Sequence, residues 1–192
     1  MKYAKSLGLL AAAAAVLMAF AAAASADTAT SPTGTTYTGT IRAEAEGHTV
    51  LDNPIAKIEC ASTIEGTITG HGAGKPVSGS VSTLDFTNCT NEWHVTTVSG
   101  GTFSIDNTGA TITVTSSGAT FEATRLGVTC RYATNNTLIG RLTNSESDFS
   151  SATMHVVGIA PFESGSFLCG ENMAWTGSYK VVKPIPLTID NN

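Results

Sequence analysis

The chain has 192 residues, 10 of them basic and 15 acidic, for a formal charge of −5. That balance excludes a nucleic-acid binder, which needs basic patches, and disfavours docking on anionic membranes. The length suits one domain and is enough to bury a core.

Residues 1–26 open with Met1-Lys2-Tyr3-Ala4-Lys5, continue through an Ala- and Leu-rich apolar run, and end Ala24-Ser25-Ala26 before Asp27. A basic start, an apolar run and a small-x-small site are the layout of a bacterial-type secretory signal peptide cleaved after Ala26. The alternative is an uncleaved anchor, since the run is nearly long enough to span a bilayer; its Ala-rich character and the good cleavage site favour removal. No cysteine lies near the site, so a lipoprotein is not expected. Cleavage leaves 166 residues with a net charge of −7. No later apolar stretch is long enough for a membrane helix, so no integral anchor is expected in the mature chain.

Residues 27–36 are polar and read as a flexible lead-in. From residue 37 onward, Thr, Val and Ile alternate with small polar residues, the pattern of half-buried strands. Strands are predicted over 38–43, 62–68, 77–86, 93–98, 102–105, 110–115, 119–123, 128–132, 138–142, 153–159 and 175–182. Turn signals separate them at 70–74, 99–101, 106–109 and 116–118. No segment carries a helical stripe. The expectation is a single all-β domain over 37–192. It is a disulfide-stapled antiparallel β-sandwich, with barrel-like closure as a variant.

Cys60, Cys89, Cys130 and Cys169 all lie beyond the signal peptide, where an even set reads as disulfides. Four cysteines allow three pairings. A loose internal echo places a Gly-centred strand, a second cysteine and then a Trp after Cys60 and again after Cys130. It suggests two similar sheet units and favours Cys60–Cys89 with Cys130–Cys169. The chain-entropy model gives such loops about 3.6 and about 3.9 kcal/mol of stabilisation.

The catalytic and metal-binding patterns of the sequence are weak. The cysteine gaps of 29, 41 and 39 contain no close pair, and His48, His71, His94 and His155 are scattered, so zinc is not expected. Gly70-His-Gly-Ala-Gly-Lys75 has the wrong glycine spacing for a phosphate loop, and Pro76 follows the lysine; it reads as a hairpin connection. There is no Gly-x-Ser-x-Gly elbow. His94 and His155 read as strand residues rather than bases. Glu44 with Glu46, and Glu146 with Asp148, are one strand repeat apart, a spacing that suits paired-carboxylate chemistry but is common on solvated faces. The run 144–148 offers oxygens for calcium without the spacing of an EF-hand. Asn88-Cys-Thr and Asn135-Asn-Thr are glycosylation sequons. No cofactor is expected. Trp93, Tyr132, Trp175 and Tyr179 could form an aromatic platform for a glycan, although the two Trp, each close after a cysteine, read better as core.

Several local motifs follow one another in a recognisable order. They are Ile58-Glu-Cys60 before Ile64-Glu-Gly, Leu84-Asp-Phe-Thr-Asn-Cys89, Val128-Thr-Cys-Arg-Tyr132, Cys169, Ala174-Trp-Thr-Gly-Ser-Tyr179 and Pro184-x-Pro-Leu. With the Ala-rich leader, this order resembles a group of secreted actinobacterial β-rich proteins with no assigned function. The resemblance implies an extracellular β-fold and no catalytic residue. The functional expectation is a secreted, non-enzymatic extracellular module that contacts the cell envelope, a glycan or another ligand. The alternative is a secreted hydrolase or inhibitor, which would need a cleft holding two close carboxylates or a Ser–His contact.

Overall fold

The computed structural model describes residues 27–31, 34–72, 75–144 and 151–191. The expected signal peptide and its cleavage site lie outside the described residues, as do Gly74, Glu146 and Asp148. The described chain forms β1 (Asp27–Thr30), β2 (Gly39–Ala45), β3 (Thr49–Asn53), β4 (Ala56–Gly72), β5 (Lys75–Thr87), β6 (His94–Ser99) and β7 (Thr102–Asn107). There follow β8 (Ile112–Ser117), β9 (Thr120–Arg125), β10 (Val128–Ala133), β11 (Thr137–Thr143), β12 (Thr153–Gly165), β13 (Asn172–Lys183) and β14 (Thr188–Asn191). The only helical residues described are two single 3₁₀ turns, Thr90–Glu92 and Phe167–Cys169. No helix among the described residues is long and apolar enough to cross a membrane.

All strand pairings are antiparallel, and they close on themselves. The ladder runs β2–β4–β5–β7–β8–β11–β12–β13 and returns to β2. Barrel-like closure is therefore realised, in an eight-stranded wall with no free edge. β3 occupies the same lane as β2 further along, between β13 and β4. A smaller sheet, β6–β9–β10, joins through the last residues of β12, where Cys130 pairs with Gly165. The two halves of the sequence share one sheet: β13 pairs with β2 and β3, and β9 with β6.

The alternation expected from the sequence positions this wall. Along β2, Ile41 and Ala43 turn inward while Thr40, Arg42 and Glu44 face solvent. Val77 and Gly79 on β5, and Phe103 and Ile105 on β7, do the same. Gly79 sits where the wall is tight. A Cβ there would collide with the Thr67 carbonyl and the Phe103 ring, so only glycine fits. The chain passes between the two sheets at Gly101 and Gly118, both with positive φ and packed together. Beside them Thr134 ties the crossing down, its Oγ1 accepting from Ala119 N at 3.0 Å and bonding Ser116 Oγ at 3.0 Å.

The disulfides are Cys60–Cys89 and Cys130–Cys169, the sequential pairing, and no described cysteine is free. β4 and β5 pair antiparallel with Gly72 opposite Lys75, which agrees with reading this stretch as a connection between two strands.

One expectation is reversed. Residues 27–30, read as flexible lead-in, form β1, paired in register with β14 from Asp27–Asn191 to Thr30–Thr188. Polarity misled here because the alternation in Asp27-Thr-Ala-Thr is short, and its partner lies at the far end of the chain.

Candidate functional site: the interior of the barrel

The eight-stranded wall encloses an apolar interior. Its lining includes Ile41, Ile68, Val114, Ile139, Leu142 and Val181, with one to three residues from each strand. Packing does not fill it: a cavity of about 90 Å³ remains. Ser116 supplies the one hydroxyl side chain among the described lining residues, and it is already bonded to Thr134. A void of this size costs about 2 kcal/mol when empty, at ~24 cal/mol per Å³. Water gains little there, since it needs two to four polar partners.

The interior is bounded at one end by ring packing. Phe86, Phe121 and Trp175 meet with centroids 6.0–6.5 Å apart, and Tyr132 lies 5.9 Å from Phe121. Beside them, Tyr179 Oη accepts from Trp175 Nε1 at 3.3 Å, donates to Ser62 Oγ at 3.0 Å and bonds Thr49 Oγ1 at 2.8 Å. Burial raises the Tyr179 and Tyr132 phenols above the ordinary tyrosine value.

The β1–β14 ribbon contributes Leu187, just ahead of β14, and Ile189 to the same cavity. It forms a sheet of its own, outside the closed ladder. Backbone bonds from Tyr37 N to the Ala29 carbonyl and from Ala152 N to the Leu187 carbonyl hold its ends, and side chains hold it between them. Asn144 clamps Ile189 like a missing strand, Nδ2 donating to its carbonyl at 2.7 Å and Oδ1 accepting from its N–H at 3.0 Å. Asn107 Nδ2 also donates to the Ile189 carbonyl at 2.9 Å, and Asn107 N donates to Asp27 Oδ2 at 2.9 Å. Burial pushes the Asp27 carboxyl above the usual carboxylate range, against the lowering effect of that hydrogen bond.

The sequence-nominated residues fall elsewhere. The aromatic platform is overturned: Trp93, Tyr132, Trp175 and Tyr179 are between 0 and 7% exposed, so no ring face is offered to a glycan. Their apolar area is worth more inside, and each buried polar tip of Tyr132, Trp175 and Tyr179 has a partner. Glu44 is paired with Arg42 at 2.9 Å on the outer wall, and Glu46 is exposed. His94 is exposed on β6. Asn144, the first residue of the calcium candidate, serves the ribbon clamp. No group of three or more potential metal ligands occurs among the described residues.

A Ser–His contact does exist. His155 Nδ1 lies 3.0 Å from Ser178 Oγ, across the β12–β13 pair. Both face outward, and Nε2 points to Thr143 Oγ1 at 3.5 Å rather than to a carboxylate. Without an orienting acid and a water-excluding cleft, this geometry is that of a cross-strand pair on a solvated face.

Sequence reasoning missed the ribbon and its two asparagines. The legible signal was the alternation of Leu187-Thr-Ile-Asp, which matches that of residues 27–30. No family model matches the chain, and no curated protein or solved structure matches it.

Proposed function

We propose that this protein is a secreted, non-enzymatic extracellular module that works by binding, with the barrel interior as its site. The observation that carries this reading is the apolar cavity in the barrel interior, left unfilled by the side chains around it. Residues 1–26 as a cleaved signal peptide, and two disulfides suited to an oxidising space, support an extracellular location. The reading as a relative of secreted actinobacterial β-rich proteins of unassigned function rests on motif order alone. Contact with the cell envelope fits a module of this kind, and the exposed Leu126 and Phe167, 85 and 94% accessible, are the side chains that would make it. The competing hydrolase reading rests on the His155–Ser178 contact.

The test is solvent extraction of the protein purified from culture medium, with mass analysis of the extract. A single compact apolar compound near one per chain supports the binding module. An empty extract, together with ester hydrolysis that disappears in Ser178→Ala, refutes it in favour of the enzyme.

A further inference from the structure

We infer that the barrel cavity takes one compact, uncharged, apolar molecule, and that the β1–β14 ribbon is the part of the wall displaced to admit it. This deepens the binding reading given above and rests on it.

Size comes first. An eight-stranded barrel leaves an interior just wide enough to fill with side chains or to hold one small ligand. Here the inward residues stop short of filling it and leave about 90 Å³. An engineered apolar cavity of about 150 Å³ binds benzene or xenon, so this one suits xenon or a short alkane. Met154, unbranched and part-buried on the lining, lets the wall adapt to an irregular guest.

Chemistry comes second. A charged guest would lose its hydration with no partner to replace it, because the lining is apolar apart from the Ser116 hydroxyl, bonded to Thr134, and the Trp175 indole N–H, bonded to Tyr179. The site therefore discriminates by polarity rather than by directed hydrogen bonds.

Access comes third. Eight strands of the wall are locked by a closed ladder, and opening it would break many backbone bonds at once. The ribbon is the exception. It stands outside that ladder and carries Leu187 and Ile189 into the cavity. Asn144 and Asn107 hold Ile189, while backbone bonds from Ala152 N to the Leu187 carbonyl and from Tyr37 N to the Ala29 carbonyl hold the ribbon's two ends. A two-stranded ribbon has little stability of its own, and fewer bonds tie it to the barrel than tie any strand of the closed ladder, so it is the part of the interior's cover that yields first.

The experiment uses the mature protein with methyl labelling and xenon as probe, followed by butane and its charged counterpart butylammonium. Xenon and butane should shift the methyl signals of Val114 and Ile139, and butylammonium should not. Ala43→Leu, which sends an isopropyl group into the cavity, should abolish the shifts. Val114→Ile, a smaller filling, should weaken them if Ala43→Leu fails to fold. Asn144→Ala leaves the lining intact and should speed xenon exchange roughly tenfold, the weight of a lost hydrogen bond or two. Equal shifts in wild type and in the filled variants, or equal binding of butane and butylammonium, would overturn the site. Unchanged exchange in Asn144→Ala would overturn the ribbon as its gate. Xenon binding in the cavity beside an empty extract from the secreted protein would defeat the functional reading and leave the site standing.

Discussion

Removing one oxygen, in Tyr179→Phe, should cost about 2–4 kcal/mol of stability. The magnitude follows from the partners. The Tyr179 hydroxyl serves three buried groups: the Trp175 indole N–H at 3.3 Å, Ser62 at 3.0 Å and Thr49 at 2.8 Å. Thr49 and Tyr179 are wholly buried, and Trp175 and Ser62 nearly so, so bulk water cannot replace the lost partner. A buried polar group left unpaired costs about 1–3 kcal/mol, and the two hydroxyls can partly recover by rotating, whereas the indole N–H cannot. The assay is urea unfolding with disulfides intact, read by Trp fluorescence, with the midpoint falling at an unchanged slope. The double variant Thr49→Val/Tyr179→Phe should lose less than the sum of the single losses, because each change removes a partner the other would orphan. A loss below about 0.5 kcal/mol in the single variant, or strict additivity in the double, would refute the network.

Gly79→Ala should destabilise by about 3 kcal/mol, since the new Cβ meets the Thr67 carbonyl and the Phe103 ring; thermal unfolding checks it, with a loss below about 0.5 kcal/mol refuting the clash. Replacing both members of the Cys60–Cys89 pair by Ala should lower stability by about 3–4 kcal/mol, and a thiol count on the unreduced protein should read zero. Tyr132 and Tyr179 ionise above the ordinary tyrosine value in the folded state, so their contribution to stability is complete below about pH 10 and is lost as pH rises through the higher folded values. Their phenolate absorbance should therefore appear together with loss of near-ultraviolet dichroism. The mass of the secreted protein should correspond to a chain beginning at Asp27.

Strand content was legible because β-branched alternation is a local signal, and the strands over 62–68, 77–86 and 128–132 lie inside β4, β5 and β10. The disulfide pairing was legible in outline from the order of cysteines and tryptophans. The strand at Asp27–Thr30 was not, because it is short and owes its conformation to Thr188–Asn191 at the far end of the chain; Thr49–Asn53, a short strand, pairs with Ala56–Cys60 just beyond a tight turn. The aromatic platform failed for a related reason. A ring in an alternating strand has one of two faces to choose, and the sequence does not say which face the rest of the chain will cover.

Composition and periodicity alone determined that this chain is β-rich and acidic, since each of these is a property of neighbours along the chain. The tertiary structure alone decided that β13 returns to β2 and closes the wall, that Leu187 and Ile189 are carried back over its interior, and that about 90 Å³ stays unfilled within. Closure and cavity volume depend on residues more than a hundred positions apart meeting at fixed distances, and no local pattern encodes such a meeting.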